Sequence, residues 1–179
     1  MKTFLITILF LSSNCFAQTK YITKSGTVNF EASVPSFEEV AANNNSVTAI
    51  INTENGEFAA LALVKAFRFK NALMEEHFNE NYAESSKFPK ATFKGTIEKF
   101  STEKLSVSKN TFNITGQLTF HGVTKDFKCK TLISKIENRI SMEGNFKVLA
   151  SDFGIEIPSI VRNKISEDIM VHFDFELSH

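Results

Sequence analysis

The stretch of sequence that decides the fold is Thr111-Phe112-Asn113-Ile114-Thr115-Gly116-Gln117-Leu118-Thr119-Phe120. Every even position in it is apolar or glycine, and every odd position is polar. Because successive side chains of a β-strand point to opposite faces, this two-residue period predicts a strand with one buried face and one face in water.

The same alternation recurs on both sides of that stretch. It is clear over residues 91–97, 127–133, 139–148 and 169–177, and it is weaker over 27–33 and 46–52. Residues 57–69 differ, because Phe58-Ala59-Ala60-Leu61-Ala62-Leu63-Val64 is apolar on both faces. Such a run fits a buried strand or a helix, but the turn signal Glu54-Asn55-Gly56 just before it favours a strand.

One segment, residues 71–82, has a helical period instead, because Met74, Phe78 and Tyr82 fall on one stripe. We therefore predict about eight strands, with one short helix between the fourth and the fifth. Antiparallel strands with one apolar face each form a sandwich or an up-and-down barrel. A barrel leaves no exposed edges, and about eight strands enclose a lumen wide enough for packed side chains or one slender ligand. The predicted fold class is all-β, an eight-stranded antiparallel barrel.

The N-terminus has the pattern of a secretory signal peptide. Lys2 precedes an apolar run that ends at Leu11, and Ala17 offers a small residue for cleavage before Gln18. The run is shorter than the roughly 20 residues that a membrane span needs. We predict a signal peptide over residues 1–17, a single domain over 18–179, and a periplasmic or secreted location. Lipid modification of Cys15 stays open as an alternative, although Asn14 suits that processing poorly.

Cleavage near Ala17 would leave Cys129 as the only cysteine, so an internal disulfide is excluded and stability must come from a core. Hydrophobic residues make up 42% of the chain, with 19 Phe to build that core. Lys plus Arg and Asp plus Glu balance at 20 each, without a basic block. This balance argues against nucleic acid as a partner, and no later run is long enough for a membrane-integral protein.

Several predicted inward positions carry small side chains, namely Gly95, Gly116, Gly144, Ala49 and Cys129. Among so many Phe, small residues would leave room along the barrel axis. Alternatively, Gly116 and Gly144 mark bends or bulges where the sheet must curve. Both interpretations stay open at this point.

Residues that carry chemistry are scarce. The spacing of His77, His121, His172 and His179 places no two of them on one face with a carboxylate, so no metal site is predicted. The sequence has no nucleophile elbow and no glycine-rich phosphate loop, and Cys129 falls on an apolar face. We predict a protein that is not an enzyme and needs no cofactor. The alternative is an enzyme for a small apolar substrate, with His77 or His121 at the barrel mouth.

Four segments, in chain order, resemble the YceI-like family. They are Glu76-His77-Phe78 in the helix, Ser86-Lys87-Phe88-Pro89-Lys90-Ala91-Thr92-Phe93, Ile114-Thr115-Gly116-Gln117-Leu118-Thr119-Phe120-His121-Gly122-Val123-Thr124-Lys125, and Asp152-Phe153-Gly154-Ile155. The resemblance implies a lipocalin-like, extended barrel that holds a long isoprenoid chain in its lumen, and it implies no catalytic residues.

The leading hypothesis is a lipid-binding protein for a polyisoprenoid or an isoprenoid quinone, used in transport, storage or sequestration. The predicted cavity-lining residues are Phe30, Phe93, Phe112, Ile114, Gly116, Leu118, Phe120, Phe127, Ile140, Met142, Phe146, Val171 and Phe173. A second hypothesis is a non-catalytic envelope stress or interaction module with a filled core. Whether the chain forms a homodimer stays open.

Overall fold

The computed structural model describes residues 19–35 and 37–179, so the predicted signal peptide and Cys15 lie outside the described residues. Over these ranges the chain forms mostly strands. They are β1 (Lys20–Ser33), β2 (Ala41–Asn52), β3 (Glu57–Leu63), β4 (Arg68–Phe69), β5 (Lys90–Ile97), β6 (Asn110–Phe120), β7 (Val123–Ile136), β8 (Arg139–Leu149) and β9 (Ile165–Ser178).

Eight of these strands close into an antiparallel barrel. The order around the sheet is β1-β9-β8-β7-β6-β5-β3-β2, and pairing between β1 and β2 completes the ring. β4 has only two residues and pairs with β2 at Ala42 and Asn43, outside the ring. The all-β barrel predicted from the alternating stretches is confirmed, and the sandwich is excluded because one continuous sheet closes on itself.

The helix α1 spans Ala72–His77, inside the segment that the sequence predicts to be helical, and lies between β4 and β5. It begins after Asn71, whose side-chain oxygen accepts a hydrogen bond of 2.9 Å from the Leu73 amide. A wider π turn, Phe78–Tyr82, continues it. The Arg68 guanidinium lies 2.8 Å from the Glu75 carboxylate and ties the helix to β4.

The predicted strand over residues 57–69 is broken in two. β3 ends at Leu63, and a 3₁₀ turn over Val64–Ala66 leads into β4. Val64 is fully buried and its amide donates to the Pro89 carbonyl, which turns the chain inward at the end of β3. The run is apolar on both faces because it serves both the barrel wall and the packing of this turn.

The barrel has two unlike ends. At one end, β1 begins, β9 finishes, and the inward side chains pack into a core in which Ile51, Ile133 and Leu177 have no exposed surface. At the other end, which we call the mouth, lie the β1–β2 loop, α1, the β6–β7 turn and the connection from β8 to β9. No helix in the described part of the chain is long and apolar enough to cross a membrane.

Candidate functional site

A cavity of about 530 Å³ occupies the mouth half of the barrel. Inward-facing residues of all eight barrel strands form its side wall, and α1 and the connection over residues 150–164 cover it. Ligand pockets of proteins fall between about 300 and 1,000 Å³. The cavity therefore has the size of a binding site for one small molecule or one chain.

Most of the residues predicted to line the lumen lie in this wall. They are Phe30, Phe93, Ile114, Leu118, Phe120, Phe127, Met142, Phe146, Val171 and Phe173. Their common property is the inward phase of the two-residue period. That they hold a ligand stays a prediction.

Three predicted lining residues lie elsewhere. Phe112 and Ile140 are in the packed core beyond the cavity, 8% and 0% exposed. Gly116 faces inward, but the Phe93 ring covers it, so it has no surface in the cavity wall. Alternation identifies the inward face of a strand, but it does not determine how far along the axis the lumen stays open.

The inward glycines also leave no space along the axis. The Phe93 ring occupies the place of a side chain at both Gly95 and Gly116, and the Phe173 ring does the same at Gly144. A Cβ on Gly116 would also overlap the Lys94 carbonyl oxygen of the neighbouring strand. The glycines therefore permit close strand approach and rings that lie across the lumen. Of the five small residues predicted to face inward, Cys129 alone lines the cavity.

Sequence reasoning missed the cover of the cavity. Phe78 of the helical stripe packs its ring 5.2 Å from Phe69 and 5.3 Å from Phe30, and it lines the cavity. The four-residue spacing of Met74, Phe78 and Tyr82, which predicts the helix, also indicates which side of the helix faces the barrel. Phe153 and Ile157 cover the cavity from the β8–β9 connection, which is irregular and carries no period.

Polar side chains in the wall are few and lie mainly near the mouth. They are Glu38, His77, Tyr82, Thr92 and Lys164, and deeper in the wall the side-chain heteroatoms among the described residues are the sulfurs of Cys129 and Met142. Water in the deep part would find few hydrogen-bond partners. An apolar occupant that takes the place of this water is therefore favoured.

His121 joins three segments at the mouth. Its Nδ1 lies 2.9 Å from the Phe153 carbonyl oxygen, and its Nε2 lies 2.7 Å from the Glu84 carboxylate. The Phe88 ring packs edge-on at 4.6 Å. Both partners are oxygen atoms that accept hydrogen bonds. This places His121 as a positioning residue for the connection that covers the cavity, outside the wall itself.

We expect the Glu84→Gln variant to be less stable than the wild type near neutral pH. The His121 hydrogen bond holds the pKa of the Glu84 carboxyl below its ordinary value of 4.5. A carboxyl whose pKa is lowered in the folded protein stabilises it at pH values above 4.5. This stability is lost as the pH falls through the lowered pKa. Urea unfolding across this range should show the two proteins converging in acid. A constant difference at every pH would contradict the assignment.

The Cys129 thiol should react slowly. Burial raises its pKa from 9.0 to about 11, so the thiolate fraction at neutral pH is on the order of 100-fold below that of a free thiol. Iodoacetamide labelling followed by mass spectrometry measures the rate, and unfolding in urea should restore ordinary reactivity. Labelling of the folded protein as fast as free cysteine would contradict a buried position.

The other histidines do not assemble a site. His172 is exposed on β9, and His179 lies on the Tyr21 ring at the end remote from the mouth, with ring centroids 3.8 Å apart. Within residues 19–35 and 37–179, no three His, Cys, Asp or Glu side chains lie together in a way that could hold a metal ion.

Comparison with known proteins agrees with this architecture. A polyisoprenoid-binding domain from Saccharophagus degradans, implicated in plant cell wall breakdown, superposes with a TM-score of 0.77 at 16% identity, covering 89% of this chain and 98% of that one. BcnA of Burkholderia cenocepacia gives a TM-score of 0.70 at 13% identity, covering 86% and 96%. The YceI protein of Campylobacter jejuni gives 0.65 at 20% identity, covering 82% and 88%.

At these identities the structures share the fold, and no curated protein matches the sequence significantly. The family model for the YceI-like domain matches residues 20–177. That match runs from the first residue of β1 almost to the end of β9. The chain belongs to the YceI-like family, whose barrel fold supports lipid binding in general.

Proposed function

We propose that this protein is an exported, non-catalytic carrier that encloses the chain of an isoprenoid lipid in its barrel. The observation that carries the proposal is the cavity itself, whose deep wall is built from apolar side chains and whose polar side chains lie mainly near the mouth. Shape and apolar burial then select the ligand, since burial contributes about 0.8 kcal/mol per methylene. Transport, storage and sequestration all require such a site.

The position of the polar side chains sets the orientation of the ligand in the cavity. The tail enters first, because a polar head group in the deep part would lose its hydrogen bonds with water and find none in return. The head group of a polyprenol or an isoprenoid quinone would lie at the mouth, within reach of His77, Tyr82 or Lys164. The isoprenoid class is favoured by the family and by the polyisoprenoid-binding domain that shares the fold.

The contacts of the histidines favour a carrier over an enzyme. His121 has both ring nitrogens engaged by Phe153 and Glu84, outside the cavity wall. His77 is exposed and lines the mouth, where the proposed ligand would place its head group. The open cavity also favours a carrier over an interaction module with a filled core.

Export through the predicted signal peptide belongs to the same proposal. Expression of the full chain in a bacterial host, followed by fractionation, should place a shortened protein that begins near Gln18 in the periplasm or the medium. Recovery of the uncleaved chain from the cytoplasm would remove export from the proposal and leave lipid binding untouched.

The direct test is to purify the exported protein without detergent and to extract it for lipid mass spectrometry. We expect an isoprenoid at a stoichiometry near one per chain. An extract without lipid, together with no uptake of added prenol or quinone by the purified protein, would reject the carrier function. A fatty acid at that stoichiometry, in place of an isoprenoid, would support lipid binding but contradict the isoprenoid class of the ligand.

A further inference from the structure

The cavity stops at one level on β6, β8 and β9. On β6 the deepest lining residue is Ile114 and not Phe112, and on β8 it is Met142 and not Ile140. On β9 it is Phe175, while Leu177 lies beyond. Because the limit occurs on β6, β8 and β9, and because Met142 and Phe175 are register partners, the cavity has a floor and not a local narrowing.

Aromatic rings build this floor. The Phe58 ring lies 5.8 Å from Phe175 and 6.1 Å from Phe93, and Phe173 stacks on Phe175 at 5.5 Å. Three of these rings occupy places where a glycine on a neighbouring strand lacks a side chain. They are Phe93 at Gly116, Phe173 at Gly144 and Phe175 at Gly26. The glycines allow rings to lie across the lumen, where an added Cβ would displace them.

Nothing beneath the floor leaves room for a chain. Ile97 has 1% of its surface exposed, while Ile133, Ile140 and Leu177 have none, and these residues belong to one packed core. Interiors of this kind are packed as densely as organic crystals, and inserting methylenes into them typically costs more than it returns. A ligand can therefore extend from the mouth to the floor and no farther.

The depth of the cavity sets the length of the extended chain that it can enclose. From Met142 to Leu149 the wall follows β8 for about 23 Å at roughly 3.3 Å per residue, or about 18 Å of depth at a strand tilt near 40°. An extended chain with bonds of about 1.5 Å crosses that depth in about 14 chain atoms.

We propose that the barrel encloses about three to four isoprene units, so its matched ligands are lipids with a single short prenyl chain. This inference rests on the proposed function and specifies its substrate class. A longer polyprenyl chain would enter only with the units at its tail end, and the remaining units would stay outside the mouth with the head group. The affinity should therefore increase with chain length up to the capacity of the cavity and then stay constant.

The test uses the protein stripped of lipid and a series of prenols: geraniol, farnesol, geranylgeraniol and solanesol. Competition against a fluorescent apolar probe, at prenol concentrations below aggregation, gives their relative affinities. We expect a gain of at least tenfold for each unit up to geranylgeraniol, and no further gain for solanesol. Native mass spectrometry should find one prenol per chain.

The floor itself is tested by Phe175→Ala, with Leu177→Ala as the matched control. Phe175→Ala should move the limit toward a longer prenol, whereas Leu177→Ala removes volume beneath the floor and should leave the limit unchanged. Thermal unfolding shows whether each variant folds. Phe58→Leu, a smaller change in the same floor, replaces Phe175→Ala if that variant does not fold.

The outcomes separate this inference from the proposed function. A solanesol affinity at least tenfold above that of geranylgeraniol would overturn the length limit while lipid binding stands. A limit that Phe175→Ala and Phe58→Leu both leave in place would overturn the assignment of the floor. Failure of every prenol to displace the probe or to bind would reject the proposed function itself.

Discussion

The Ala60→Phe variant should fold normally and bind lipid about 100-fold more weakly than the wild type. Ala60 lies on β3 and lines the cavity, opposite Phe93 in the strand register. A phenyl ring at this position takes the volume of about four methylenes, and their lost burial amounts to about 3 kcal/mol of binding. Because the ring enters the cavity, the ligand-free variant should lose little stability.

The control is Ala59→Phe on the same strand. Ala59 precedes Ala60, so its side chain points to the opposite face, and it has no surface in the cavity. We expect unchanged lipid affinity for this variant. Prenol competition and thermal unfolding of all three proteins provide the comparison. Equal losses of affinity in both variants would mean that the bound lipid does not lie where the cavity is.

The Gly116→Ala variant should lose about 3 kcal/mol or more of stability. Its Cβ would overlap the Lys94 carbonyl oxygen and come within 2.5 Å of the Gly95 Cα, and neither backbone atom can move without shifting β5. For a chain of this size, 1 kcal/mol corresponds to about 2–4 °C in the melting temperature. Calorimetry should therefore show a decrease of about 6–12 °C, if the variant accumulates as folded protein.

Gly144→Ala is the matched comparison for Gly116→Ala. An added Cβ there lies 2.6 Å from the Phe173 ring and 2.9 Å from the Lys130 carbonyl oxygen, so the closest contact is with a side chain that can rotate. We expect a smaller loss than at Gly116. If Gly116→Ala melts like the wild type and takes up less lipid, the glycine lines open space and its close packing is refuted.

The two-residue period of the sequence predicts most strands of the barrel. The stretch from Thr111 to Phe120 predicts a strand with its apolar residues inward, and β6 spans Asn110–Phe120 with that alternation. The reason is local, since the direction of each side chain depends only on its own position in an extended backbone. The same local rule places Leu118, Phe127 and Val171 in the wall of the cavity.

Local periodicity does not extend to irregular segments. Residues 57–69 look like one apolar strand, yet Val64 turns into the core because Pro89, 25 positions later in the chain, accepts its amide hydrogen. The connection that carries Phe153 has no period, and it covers the cavity through a hydrogen bond from His121 of a distant turn. In each case the deciding partner is remote in sequence.

The sequence by itself determined that this chain forms strands with one apolar face each, because alternation is a property of short segments. The closure of the sheet into a barrel with an apolar interior, and not a sandwich, depends on the pairing of β1 with β2 in the tertiary structure. Only the tertiary structure decided where that interior is empty. Phe112 and Ile140 have the same inward phase as Ile114 and Met142, but they lie beneath the floor. The floor exists because rings on one strand fill the places of missing side chains on another, and packing between distant residues is not encoded in the period of either strand.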